Sequence, residues 1–195
     1  MQYVLVGTNR PGSRSKQVAE IVQGLYRQQG QEYEILDLNK LDLSNLTGAE
    51  YSENQPEPIR QWVQKISTSR SLVIICPEYN GSMPGVLKYF IDHWQYPDSF
   101  EYRPVCFIGL GGTFGGLRPV ENLQQVFGYR NAFIFPERVF LINVWNILKD
   151  GKITDKLMLE LLTQQAKNFT RFVHALEAEK LDVLSVQKKR QNESK

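Results

Sequence analysis

Residues 7–16, Gly-Thr-Asn-Arg-Pro-Gly-Ser-Arg-Ser-Lys, hold three cations (Arg10, Arg14, Lys16) and three hydroxyls (Thr8, Ser13, Ser15) without a single acid. An apolar run precedes them and a helical pattern follows. A helix N-terminus offers unpaired backbone N–H groups and the positive end of the helix dipole, so a basic, hydroxyl-rich turn there is suited to an anion. Hydroxyls donate to anionic oxygens, and Arg10 adds a charge-assisted pair. What is missing narrows the anion. Gly7 and Gly12 have the spacing of a nucleoside-triphosphate loop, but Ser13-Arg14 stands where that loop needs Lys and then Ser or Thr. The dinucleotide pattern GxGxxG is lacking here and again at Gly109 and Gly111, where Phe114 takes the third glycine position. A terminal monophosphate fits better than a triphosphate or a pyrophosphate.

Two further segments share the look of rigid, ligand-facing loops. Residues 77–85, Pro-Glu-Tyr-Asn-Gly-Ser-Met-Pro-Gly, leave the most apolar run in the chain, with Tyr79 and Asn80 at the tip. Prolines and glycines fix such a backbone, whose N–H groups can bond the edge of a flat heterocycle. Residues 111–116, Gly-Gly-Thr-Phe-Gly-Gly, remove side chains where a planar ring would approach the backbone closely.

The elements that position these loops follow from periodicity. Short apolar runs at residues 3–6, 34–38, 71–76, 105–109 and 132–135 with 139–142 read as strands covered on both faces. Helical stripes at 15–29, from Pro56 and Pro58 onward, 84–96, 117–127 and 154–179 separate or follow them. Residues 39–54 form a polar loop. The alternation predicts an α/β fold: a three-layer sandwich of a five-stranded parallel sheet, order 2-1-3-4-5, with helices on both faces. In this flavodoxin-like arrangement the ligand lies beyond the carboxyl ends of the strands, near the switch in strand order. All three loops fall at that end. One domain over 1–180 and a polar, frayed tail over 181–195 complete the expected organisation.

Composition fits this reading. The 195 residues are 42% hydrophobic and 23% charged, with a formal charge of +2. That charge is too small to point to nucleic acid or a membrane surface as a general partner. No targeting or membrane-spanning stretch is expected, and the two cysteines, Cys76 and Cys106, read as buried free thiols of a reducing cytoplasm. Two scattered histidines, His93 and His174, give no metal cluster. They give no Ser/His/Asp hydrolase either, since no GxSxG elbow is present. Trp62, Trp94 and Trp145 read as core or interface residues.

The three loops together resemble those of the NADPH-dependent FMN reductase family, the flavodoxin-like group that includes quinone, azo-dye and chromate reductases. The resemblance rests on residues 7–15, on residues 77–85, and on Leu87-Lys88 and Asp92, and spans about residues 3–173. It implies FMN as cofactor, with its phosphate on Thr8, Arg10, Ser13, Ser15 and Lys16. It implies an isoalloxazine held by Pro77, Glu78, Tyr79 and Asn80, with Gly111, Gly112 and Thr113 covering the remaining ring edge. It also implies a homodimer or homotetramer through the helix around Leu87, Lys88 and Asp92. One departure stands out: the family often has Gly-Ser and a later Ser-Asn pair where this chain has Gly7-Thr8 and Ser15-Lys16, and threonine keeps the hydroxyl.

The expected activity is FMN-dependent transfer of electrons from NADPH or NADH to a small acceptor by a ping-pong route. Quinone, free flavin, azo compound and metal oxyanion all remain open as acceptors. No catalytic side chain is required, because the cofactor carries the chemistry. The rival readings are a flavodoxin-type electron carrier and a flavin-based redox sensor acting on a protein partner. Carriers of that kind are usually acidic, and this chain is not.

Overall fold

The computed structural model describes residues 1–42, 48 and 55–193. Its elements run β1 (Tyr3–Val6), α1 (Arg14–Arg27), β2 (Glu34–Asp37), a 3-10 turn (Leu38–Lys40), α2 (Glu57–Ser67), β3 (Leu72–Pro77), α3 (Gly85–Asp92), β4 (Pro104–Leu110) and α4 (Leu117–Tyr129). Then follow β5 (Phe133–Ile134), β6 (Val139–Leu141), α5 (Val144–Ile147), β7 (Leu148–Lys149), β8 (Lys152–Ile153), α6 (Lys156–Ala178) and α7 (Val183–Glu193). Most of the loop expected over 39–54 lies outside the described residues.

The sheet has the expected order, β2-β1-β3-β4-β5, with every pair parallel. Because successive side chains point to opposite faces, each apolar strand feeds two cores. Val4, Val6, Val73, Ile75, Cys106 and Ile108 pack with Val18, Val22, Phe169 and Val173 of α1 and α6. Leu5, Leu72, Ile74, Cys76, Val105 and Phe107 pack with Ile59, Val63, Leu87, Phe90 and Leu123 of α2, α3 and α4. The two cysteines therefore lie in different cores, both free, and burial pushes both thiols well above their usual range.

Four local features depart from the sequence expectation. The fifth strand is split: β5 and β6 both pair with β4, at its start and its end, with Pro136 between them. The third helix stops at Asp92 and not near Tyr96, because Trp94 folds inward onto Phe90, Phe100 and Phe127, and Pro97 disfavours helical geometry at Tyr96. Asp150 and Gly151, at φ 47 and 70, form the turn of a small hairpin, β7–β8, that the strand pattern does not announce.

The fourth is the tail. Residues 183–193 form α7, where a polar tail was expected over 181–195. Asp182 caps it, accepting from the N–H groups of Leu184 and Ser185 at 3.1 Å each. Further along, Arg190 pairs with Glu101 at 2.6 Å, and Gln187 donates to the Ser67 and Asp98 carbonyls. Its anchors are thus polar groups of distant loops, which an apolar periodicity does not reveal. Beside them lies Arg103, fully buried, whose guanidinium donates to the carbonyls of Ser67, Ser69, Asp98 and Ser99. Burial pulls its pKa down to about 9.

Candidate cofactor site

At the carboxyl ends of β1, β3 and β4 the three loops enclose a cleft of about 200 Å³. The first loop contributes Arg10, Ser13, Arg14 and Ser15, the second Pro77, Glu78 and Tyr79, and the third Gly111, while Val144 and Trp145 of α5 form a further wall. The placement follows from the topology: β1 and β3 are neighbours at the switch in strand order, so their loops converge.

The first loop is ordered for an anion. Ser13 is the N-cap of α1, its Oγ accepting from the Lys16 N–H at 3.2 Å, and its own O–H stays available as a donor. The N–H groups of Arg14 and Ser15, in the first turn, have no intrahelical acceptor. Arg10 lines the cleft from its exposed position. Lys16 does not line it; its Nζ reaches forward along the helix to Glu20 at 3.2 Å. Arg14 supplies the second cation instead.

Thr8 is buried beneath the loop, where its Oγ1 accepts from the Arg10 N–H at 3.3 Å and lies 2.9 Å from the Tyr79 hydroxyl. That contact ties the first loop to the second. It also holds the Tyr79 hydroxyl against the first loop. The second loop closes on itself through reciprocal backbone bonds between Tyr79 and Ser82, with Asn80 and Gly81 at φ 50 and 77. Asn80 is at the exposed tip of that turn.

In the third loop, Gly111 lines the floor, while Thr113 is exposed outside it. The Gly111 N–H donates to the Leu141 carbonyl at 3.3 Å, so it is engaged inside the protein and does not face a ligand. The carbonyls of Gly111 and Gly112 accept from the N–H groups of Val144 and Asn143 at 3.1 and 3.0 Å, which fastens α5 to this loop. A Cβ on Gly111 would stand 3.3 Å from the Glu78 Cβ, and one on Gly112 would stand 3.2 Å from the Trp145 ring. A side chain at either position would press on its neighbour, and the glycine at 111 keeps the floor of the cleft low.

This arrangement fits FMN: a cationic, hydroxyl-lined helix terminus at one end and a side-chain-free floor at the other. A family model described as NADPH-dependent FMN reductase matches residues 3–146. The chain belongs to the NADPH-dependent FMN reductase family. Its cofactor is FMN, its co-substrate is NAD(P)H, and it is an oxidoreductase.

Among relatives of this FMN reductase family member, a 2-hydroxy-1,4-benzoquinone reductase from Burkholderia sp is 36% identical over 130 residues, covering 65% of this chain and 69% of the relative. An NADPH:quinone oxidoreductase from Arabidopsis thaliana is 27% identical over 154 residues, 76% of this chain and 78% of the relative. The fold is shared with FerB, a flavoenzyme NAD(P)H:(acceptor) oxidoreductase from Paracoccus denitrificans. The two superpose with a TM-score of 0.71 at 22% identity, over 89% of this chain and 97% of that one.

The family member's helix α3 divides its expected interface residues. Leu87 is fully buried in the chain's own core, while Lys88 and Asp92 pair on the surface at 2.7 Å. They border a second groove, about 330 Å³, between α3 and α4, which also takes in Ile91, Trp94, Tyr129 and Arg130. His93, next in sequence, is buried with Nδ1 2.9 Å from the Tyr89 carbonyl, far from a catalytic or surface role. Trp94 belongs to the core and Trp62 packs against it, while Trp145 lies on the cleft wall. Trp145 and Arg14 are, with Val144 and Leu110, among the cleft residues that sequence reasoning left out of the site. Arg14 had a signal, its place in an acid-free basic turn; Trp145 had none. No helix among the described residues is long and apolar enough to cross a membrane.

Proposed function

We propose that this chain takes electrons from NADPH or NADH and delivers them to a small planar acceptor of the quinone or azo type, with FMN held in the cleft between β1, β3 and β4. The observation that carries this reading is the convergence of an acid-free basic turn and a glycine floor on one cleft, joined by the Thr8–Tyr79 contact at 2.9 Å. The named activities of the quinone and azo reductase relatives agree with it.

When bound, FMN supplies hydride acceptance from the nicotinamide and electron delivery to the second substrate. The protein's own part is binding and orientation. Arg10, Arg14 and the N-terminus of α1 hold the phosphate, with Ser13, Ser15 and Thr8 donating hydroxyl bonds. Pro77, Glu78 and Tyr79 set the height of the ring over the floor at Gly111, Gly112 lies behind it against Trp145, and Asn80 and Thr113 stand at the rim. The two substrates use this one cleft in turn, which is a ping-pong pattern. No proton-transferring side chain is needed.

The α3–α4 groove is the surface we assign to a homodimer or homotetramer. Tyr129 is 78% exposed there, a large aromatic that a monomer would leave in water. The buried free thiols of Cys76 and Cys106 suit a reducing cytoplasm.

Anaerobic titration of the FMN-loaded protein with NADPH and with NADH, followed by flavin absorbance, tests the reading. Bleaching by at least one nucleotide and recovery on adding a quinone are expected. Flavin that binds but is bleached by neither would overturn the reductase reading in favour of a carrier or sensor acting on a protein partner.

A further inference from the structure

Trp145 is 46% exposed, although it is a large aromatic side chain on a chain with two well-filled cores. A singly exposed aromatic is ordinary on a protein surface; what sets Trp145 apart is that it lines a cleft and is held there by its own backbone. Its position is fixed from three directions. Asn143, at φ 47, turns the chain out of β6 into α5. Backbone bonds from Asn143 and Val144 to the carbonyls of Gly112 and Gly111 fasten α5 to the third loop. The Lys149 ammonium then donates to the Trp145 carbonyl at 2.7 Å. The indole consequently lies across Gly112, so close that an added Cβ there would sit 3.2 Å from its ring.

The same indole lines the cofactor cleft, sharing it with Arg10 and Arg14. An aromatic ring held rigidly beside a side-chain-free floor presents an apolar surface for another planar group, and it costs little ordering on binding because α5 has already placed it. We infer that Trp145 is a flavin-contacting residue of this protein, an aromatic wall against which the isoalloxazine packs. This inference rests on the proposed placement of FMN and adds to it a residue from beyond the three loops.

The test is FMN binding and flavin emission in the wild-type protein, in Trp145→Leu and in Trp145→Phe, with circular dichroism to confirm that each is folded. Close contact with indole darkens flavin emission. In the wild type the bound flavin is expected to be nearly dark. In Trp145→Leu the dissociation constant is expected to rise about tenfold, the scale of one aromatic stacking contact, and the bound flavin to become emissive. Trp145→Phe should recover most of the affinity.

If Trp145→Leu binds FMN as tightly as the wild type, or if its bound flavin stays equally dark, the inference is overturned while the cofactor site stands. If the wild-type protein itself does not retain FMN, the proposed placement has failed, and this inference with it. A folded Trp145→Leu protein that meets both expectations supports it.

Discussion

Arg10 shows how a single residue divides between surface and site. It is exposed, holds the loop only through its backbone N–H to Thr8, and its side chain lines the cleft beside the N-cap Ser13. Its removal should therefore leave stability alone and weaken phosphate binding. Arg10→Ala is expected to raise the FMN dissociation constant about tenfold, the size of one solvent-accessible charge-assisted bond, with an unchanged thermal midpoint of the apoprotein. An unaltered dissociation constant in a flavin titration would remove Arg10 from the site. At this scale the residue types of the first loop were readable from sequence, but their directions were not. Lys16 and Arg14 look equivalent in a list of cations. Two positions further around the helix, Lys16 turns to Glu20, while Arg14 faces the cleft.

Helix α7 makes the corresponding point for elements. It is held to the body of the protein by polar contacts, chief among them Arg190 to Glu101. Glu101 also accepts from the Tyr96 hydroxyl at 2.5 Å, and that bond, followed by the Arg190 pairing, holds its carboxyl below the usual glutamate range. The sign follows from linkage. A carboxylate whose folded pKa is depressed contributes stability above its unfolded value, about 4.3, and loses it as pH falls through the folded value. Thermal midpoints measured from neutral pH down to about pH 3 should fall more steeply in the wild type than in Glu101→Gln. The variant should begin lower at neutral pH. Parallel curves would show that α7 is anchored without help from this charge. A helix fixed by such contacts has no strong apolar stripe, which is why the sequence reads it as a tail.

Among the described residues, the cleft at the strand ends and the α3–α4 groove share no lining residue. If the groove is the oligomer interface, its central exposed aromatic should matter for association and not for cofactor binding. Tyr129→Asp is expected to shift the protein toward monomer in light scattering while leaving the FMN dissociation constant unchanged. An unchanged mass would move the interface elsewhere. Leu87 is not a candidate for the same experiment, because it is fully buried and its loss would open a cavity in the core.

Taken alone, the sequence determined the parallel sheet, the order of its elements and the end at which the three loops gather. Strands covered on both faces appear as unbroken apolar runs, and right-handed crossovers leave few topologies to choose from. It also determined the chemistry of the three loops, since glycine, proline and acid-free basic turns act locally. Tertiary structure alone decided which of those residues face the cleft and what closes it. Thr8 meets Tyr79 across 71 positions of sequence. Trp145 reaches Gly112 only because β6 returns along β4 and α5 is bonded to the third loop. Contacts of that kind leave no periodic trace in the chain, because they depend on where two distant segments end and not on what either segment repeats.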